Sequence, residues 1–171
     1  MKTLLLLRHA KSSWDEPSLD DFDRPLSARG RRDAPRIGRW IAEHELAPDL
    51  ALVSPARRTR ETWSLVEPEL GKGDVRVEFD PALYLASPAE MLTAVRAAPE
   101  AAERLLVLAH NPGTQALALL LSSGDEAARR AMHAKFPTAA LAVLDFDVDR
   151  WLDAGPGGAR LRAFVRPRDL P

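Results

Sequence analysis

Two short apolar runs each deliver a histidine to a polar neighbour: Leu4-Leu5-Leu6-Leu7 leads into Arg8-His9-Ala10, and Leu105-Leu106-Val107-Leu108 leads into Ala109-His110-Asn111-Pro112. A third run, Leu50-Ala51-Leu52-Val53, leads into Ser54-Pro55-Ala56-Arg57-Arg58. Phosphoryl transfer asks a protein mainly for fixed geometry and for positive charge around the three equatorial oxygens. Arginine supplies that charge through a planar fork that keeps its proton. Arg8 and Arg58 are the candidate phosphate clamps; register with the Ser-Pro pair favours Arg58 over its neighbour Arg57. A histidine among arginines is penalised as an imidazolium, which leaves a ring nitrogen free to attack at neutral pH. His9 is therefore the candidate nucleophile, forming a phosphohistidine that water then hydrolyses. His110 is the candidate donor to a nonbridging oxygen. Ser12 can offer a hydroxyl, and the helix start near Asn111 and Gly113 can offer backbone N–H groups as substrate-binding contacts.

Such residues meet only if the apolar runs are strands of one sheet. Unbroken runs bounded by turn signals predict buried strands at about Thr3 to Leu7, Leu50 to Val53, Leu105 to Ala109 and Ala139 to Phe146. Weaker alternation predicts strands at Val75 to Phe79 and Arg160 to Val165. Between them lie helix patterns. Ser27 caps one carrying Ile37, Trp40 and Ile41 on one face, with a kink or late start expected at Pro35. A second is expected to begin with Pro55 in its first turn and to run to about Leu70. Ser87-Pro88 and Asn111-Pro112 repeat the cap-then-proline pattern, and one helix fits between Pro88 and Ala98. Strands alternating with helices predict an α/β fold, a three-layer α/β/α sandwich around a mainly parallel sheet, whose strand ends are where such folds place ligands. The last pair of strands is expected to run antiparallel.

The chain has 171 residues, 46% of them hydrophobic, which is enough for one domain spanning 1–171 and too little for two. With 24 basic and 25 acidic side chains its net charge is −1, so no global field favours nucleic acid or an anionic membrane, and neither is expected as a partner. No cysteine is present, which removes disulfides and thiolate chemistry and fits a reducing, cytoplasmic compartment. The N-terminal leucines are too few for a signal-peptide core or a membrane helix. His44 and His133 lack a partner at the spacing of a helical zinc site and are expected on the surface, so neither a metal nor another cofactor is predicted. Ser12 to Arg24 carries Asp15, Glu16, Asp20, Asp21 and Asp23 and reads as a solvated acidic loop beside the site, partly neutralised by Arg24. Trp14, Trp40, Trp63 and Trp151 are too scattered to stack bases and are expected in core or loop packing.

Four motifs in order resemble the histidine phosphatase superfamily (branch 1), and in particular its short SixA-like phosphohistidine phosphatases: Arg8-His9-Ala10 with Ser12 and Trp14; Asp23-Arg24-Pro25-Leu26-Ser27 with Gly30; Val53-Ser54-Pro55 with Arg58 and Thr62; and His110-Asn111-Pro112. The resemblance runs from residue 3 to about 146. It implies a phosphoglycerate-mutase-like fold, His9 as the phosphorylated nucleophile, Arg8 and Arg58 as phosphate clamps and His110 as the second pocket histidine. It departs from the more familiar signature at Ala10, where glycine is usual, and at Asp15, where many relatives have asparagine; a carboxylate there must point away from the phosphate. Larger relatives carry a carboxylic general acid where this chain has Leu85, although Asp80 or Glu90 could reach in. An alcohol leaving group needs that proton, whereas the ring nitrogen of phosphohistidine leaves more readily from a weaker P–N bond. The missing acid and the short segment between Leu85 and Leu105 therefore imply an open pocket for phosphohistidine in a protein. The alternatives are a broad phosphomonoesterase acting on small phosphate compounds, and a non-catalytic phosphate-binding module.

Overall fold

A computed structural model describes residues 1–71 and 75–171. Among these, seven strands form one sheet: β1 (Lys2–Arg8), β2 (Leu50–Val53), β3 (Arg76–Phe79), β4 (Arg104–Ala109), β5 (Ser122–Ser123), β6 (Leu141–Phe146) and β7 (Ala159–Val165), in the order β3-β2-β4-β1-β6-β7-β5. β3, β2, β4 and β1 pair in parallel, β6 runs antiparallel to both β1 and β7, and β5 adds a short parallel edge. Five α-helices complete the fold: α1 (Ala28–Glu43), α2 (Arg57–Val66), α3 (Pro88–Arg96), α4 (Gly113–Leu121) and α5 (Glu126–Ala134).

The unbroken apolar runs occupy the centre of the sheet because each of their two faces meets a layer of helices. Successive side chains on a strand point to opposite faces. Leu4 and Leu6 thus join a core with Met91, Val95, Leu117 and Leu121, whereas Leu5 and Leu7 join the opposite one with Ile37, Ile41, Trp63 and Val66. Fully burying a residue such as Ile37 or Ile41 contributes about 1.5–3 kcal/mol, so the amphipathic stripe on α1 fixes that helix against the sheet.

The topology creates one crevice. β1 and β4 are neighbours in register, with Arg8 opposite Ala109. The chain leaving β1 crosses to the layer holding α1, and the chain leaving β4 crosses to the layer holding α4. Where adjacent parallel strands send their connections to opposite faces, a cleft opens at their carboxyl ends. His9 and His110 are the first residues past those two ends.

Several expected boundaries move, each for a local reason. α1 runs unbroken through Pro35; the carbonyl this proline cannot engage belongs to Arg31, on an exposed turn open to water. α2 starts after Pro55 rather than around it; the Thr59 hydroxyl lies 2.6 and 2.7 Å from the Ser54 and Ala56 carbonyls, and its one proton, given to either, closes the turn ahead of the helix. It stops at Val66, and a 3₁₀ turn from Glu67 to Glu69 follows; Pro68 has no N–H for the next helical bond. β6 begins at Leu141 rather than Ala139, which sits at φ 59° and turns its N–H onto the Arg8 and His9 carbonyls at 3.1 and 3.0 Å. Asn111 does not cap α4. The Asn111–Pro112 peptide is cis, Pro112 precedes the helix, and the Asn111 amide donates elsewhere.

Candidate active site

His9 stands where β1 ends, its N–H donating to the Ala109 carbonyl at 3.1 Å. The turn beyond it is tied down twice. The Ala10 N–H donates to the Thr62 hydroxyl at 3.0 Å, and that hydroxyl donates to the Arg58 carbonyl at 2.6 Å, which links the histidine turn to the helix carrying Arg58. Next, the Ser27 N–H donates to the Lys11 carbonyl at 2.8 Å, and the first turn of α1 sits so close that a Cβ on Gly30 would fall 2.2 Å from the Lys11 oxygen. Only glycine permits that approach.

His9 is 6% exposed. Its Nδ1 lies 2.7 Å from the Ala10 carbonyl; a carbonyl only accepts, so Nδ1 carries the proton. The lone pair is therefore on Nε2, which has no hydrogen-bond partner among the described residues. Burial pushes the pKa of His9 down to about 3; His110, Arg58 and Arg8 add to the shift, and the Ala10 bond opposes it. His9 is neutral at pH 7 with an unengaged nitrogen.

His110 sits 5.3 Å from His9 between ring centroids, at 53°. Both of its nitrogens are occupied. Arg58 Nη2 donates to Nδ1 at 3.1 Å, so Nε2 holds the proton and donates to the buried Ser54 hydroxyl at 2.7 Å. Burial, followed by Arg58 and Arg8 and opposed by Asp21, pushes its pKa down to about 3 as well.

Two guanidinium groups, those of Arg8 and Arg58, act on both histidines. Arg8 Nη1 donates to the Phe136 carbonyl at 2.9 Å. Arg58, 3% exposed, gives Nη1 to the Asp21 carbonyl at 2.6 Å and Nη2 to the Asp21 carboxylate at 3.0 Å. Its neighbours face solvent, with Arg57 paired to Glu61 and Arg60 to the Pro55 carbonyl. Arg24, which feels the charge of Arg58, is buried beneath the exposed Trp14 ring at 3.5 Å and donates to the Ser12 hydroxyl. Burial first, and Arg58 second, lower the pKa of both Arg8 and Arg24. Among the described residues the buried Arg8 Nε, Arg24 Nη1 and Arg58 Nε have no hydrogen-bond partner, and Arg24 Nε lies 3.9 Å from the Asp21 carboxylate. Buried donors are almost always satisfied in folded proteins, so these clustered cations have N–H groups to give to an anion.

The side chains at the expected substrate-binding positions have neighbours of their own. Asn111 gives one amide N–H to the Phe136 carbonyl at 3.0 Å, and its Oδ1 has no hydrogen-bond partner among the described residues. Gly113 is required for packing, since a Cβ there would lie 2.1 Å from the Ala86 carbonyl oxygen. Ser12 faces Arg24. Asp15 is exposed and turned outward, and His44 and His133 are exposed. Asp80 caps the 3₁₀ turn that follows β3, accepting from Ala82 N–H at 2.9 Å. Glu90 closes a capping box with Ser87 at the start of α3, and the Ser87 N–H holds its carboxyl below the ordinary value. Both carboxylates are committed to helix starts.

The structure adds four residues to the site. Asp21, in a loop that reads as solvated, accepts from Arg58 and from the Tyr84 hydroxyl at 2.6 Å. Partial burial raises its pKa, but the Tyr84 and Arg58 bonds outweigh that and hold it below the usual carboxylate value. Tyr84 also meets His110 edge-on at 5.5 Å and Phe22 at 5.1 Å. Ser54 and Arg24 lay within quoted motifs, so their position was signalled although their contacts were not. Asp21 and Tyr84 are 63 residues apart, and nothing in the sequence signals their pairing.

Comparison with known proteins shows the family. A model of the histidine phosphatase superfamily (branch 1) matches residues 4–84, and the structure of a candidate phosphohistidine phosphatase SixA from Agrobacterium tumefaciens superposes with a TM-score of 0.81 at 30% identity, covering 97% of this chain and 98% of that one. The chain belongs to the histidine phosphatase superfamily, in its SixA-like branch. A second candidate SixA, from Nakamurella multipartitia, gives a TM-score of 0.83 at 29% identity over 97% of this chain and 96% of its own. An uncharacterised protein of Mycobacterium tuberculosis is 36% identical over 165 residues, 95% of this chain and 100% of that protein. This member of the superfamily has the phosphoglycerate-mutase-like α/β fold, and a phosphatase activity follows from its family.

Proposed function

We propose that the protein hydrolyses phosphohistidine carried on another protein, through a phosphoryl group passed to Nε2 of His9. The observation that carries this reading is the Nε2 of neutral His9, which has no hydrogen-bond partner among the described residues, beside Arg8 and Arg58. In the first step the Nε2 lone pair attacks phosphorus and the P–N bond to the substrate ring breaks; that ring leaves as neutral imidazole when its other nitrogen is protonated. In the second, water attacks phosphorus, the P–Nε2 bond breaks, and phosphate leaves with the water's oxygen while the water's proton passes to solvent. Arg8 and Arg58 hold the equatorial oxygens, and the Nε2–H of His110 can turn from Ser54 to a nonbridging oxygen.

The substrate class is supported by what the site lacks within reach. Asp80 and Glu90 are held in caps, Asp21 is ionised and spent on Arg58 and Tyr84, and the place of the acid in larger relatives is Leu85, 57% exposed. A ring nitrogen needs no such acid. Only α3 intervenes between Leu85 and β4, so no inserted subdomain covers the crevice, and a side chain presented on a protein can enter.

Rates on a phosphoramidate, an aryl phosphate and an alkyl phosphate test the reading. Efficient alkyl ester hydrolysis would mean that an acid operates after all and would sink it. Because arginines supply the charge that a metal would, chelators are expected to leave the rate unchanged.

A further inference from the structure

A second concave site lies on the same edge of the sheet as the histidines. β1 is antiparallel to β6, and β6 to β7, so β7 runs in the direction of β1 and its carboxyl end, marked by the row Leu7–Leu141–Val165, sits on the catalytic edge. A groove of about 430 Å³ opens there between the start of α1 and the end of α5. Four cations line it: Arg29, Lys135, Arg166 and Arg168. Two carboxylates offset them, Asp33 at 3.6 Å from Arg29 and Asp169 at 2.6 Å from Arg166 and 3.9 Å from Arg168. Lys135 is exposed and its ammonium has no partner among the described residues. The groove therefore carries net positive charge on a chain whose total is −1.

Pro137 and Thr138 in its wall belong to the loop that holds the catalytic strand: Phe136 before them accepts from Arg8, and Ala139 after them donates to the Arg8 and His9 carbonyls. Between β1 and β7 lie two strand spacings, about 10 Å, which about three residues of extended peptide span. We infer that this groove binds an acidic stretch of the phosphorylated protein, with Asp or Glu about three positions from the phosphohistidine; the inference rests on the protein-substrate reading above. Exposed cations beside a reaction centre select a partner by charge complementarity and act mainly on its capture.

Two synthetic peptides test it, each with one phosphohistidine, one bearing Glu three residues out on both sides and the other Ser there, with phenyl phosphate as the small substrate. At low salt the acidic peptide is expected to show a KM about tenfold lower than the neutral one. In the Lys135→Glu/Arg168→Glu variant that gap is expected to close, with phenyl phosphate hydrolysis unchanged. Equal KM values in the wild type, or a preference that survives in the variant, overturn the inference. If neither peptide is hydrolysed while phenyl phosphate is, the phosphohistidine reading fails instead. The groove is then decided by the fluorescence anisotropy of a labelled, unphosphorylated Glu peptide: affinity about tenfold weaker in the variant supports it, and equal affinity overturns it. An oligothymidylate of equal length that binds more tightly than the peptide, and is lost in the same variant, also overturns it.

Discussion

His9 and His110 arise from the same local grammar and end with different chemistry. Each follows a buried strand and is nearly inaccessible, and burial depresses each to a pKa of about 3. They differ in hydrogen bonds. His9 spends one nitrogen on the Ala10 carbonyl and keeps the other open; His110 spends both, one on Ser54 and one on Arg58. A shared environment makes both neutral, and the partners alone divide them into an attacker and a donor.

The sharpest way to break that division is to remove each ring in turn. His9→Ala is expected to cut kcat by on the order of 10⁴-fold or more and to abolish acid-labile phosphoenzyme. His110→Ala removes a transition-state contact and is expected to cost about 10²–10³-fold while phosphoenzyme still forms, slowly. Equal losses with no phosphoenzyme in either variant would erase the distinction. Rapid-quench kinetics with labelled substrate reads both.

Arg58 links the two rings, since it donates to His110 and its charge lowers the pKa of His9. Arg58→Lys keeps the charge and loses the planar fork, and a loss of about 10²-fold in kcat/KM is expected. Full activity in that variant would reduce the clamp to a point charge.

Asp21 holds Arg58 through both a carbonyl and a carboxylate, and the carboxylate competes with a phosphate for the same donor. Asp21→Asn is expected to tighten inhibition by inorganic phosphate by about threefold to tenfold and to lower kcat by a similar factor, as repulsion and orientation are lost together. Weaker phosphate inhibition would show that Asp21 only positions Arg58.

The shared pKa depression has a consequence for stability. Both histidines titrate near 6.5 when unfolded and about 3 when folded, so below pH 6.5 the unfolded chain takes up protons that the folded chain refuses. Stability is therefore full above pH 6.5 and falls as pH drops toward about 3, by about 1.4 kcal/mol per pH unit for each ring. Urea unfolding between pH 7 and 4 measures the slope, which His9→Asn/His110→Asn is expected to flatten. The same shifts place the acid limb of kcat/KM, corrected for the ionisation of the substrate near pH 6, well below 6.5.

The sheet and the two histidine junctions were legible because they are local. An unbroken run such as Leu4 to Leu7 specifies burial on both faces, and the residue at its end must emerge at the carboxyl edge. Pairing between distant loops has no such signature. The bonds from Tyr84 and Arg58 to Asp21 depend on how two loops lie over the crevice, and acidic residues in a loop read as solvated because most are. The place of Asn111 and Gly113 at a helix start points to their backbone N–H groups, but signals neither the Asn111 side-chain amide turning to Phe136 nor the space Gly113 yields to Ala86. Motif position located these residues without revealing which neighbour claims each polar group.

The central claim is that the Nε2 of His9 carries the phosphoryl group. Phosphoenzyme trapped in alkali during turnover, followed by phosphorus–nitrogen NMR and peptide mapping, tests it directly. One phosphate on Nε2 of His9 is predicted, because Nδ1 is held by the Ala10 carbonyl. Phosphate on Nδ1 of His9 or on His110, or hydrolysis with no phosphoenzyme at all, would contradict the account.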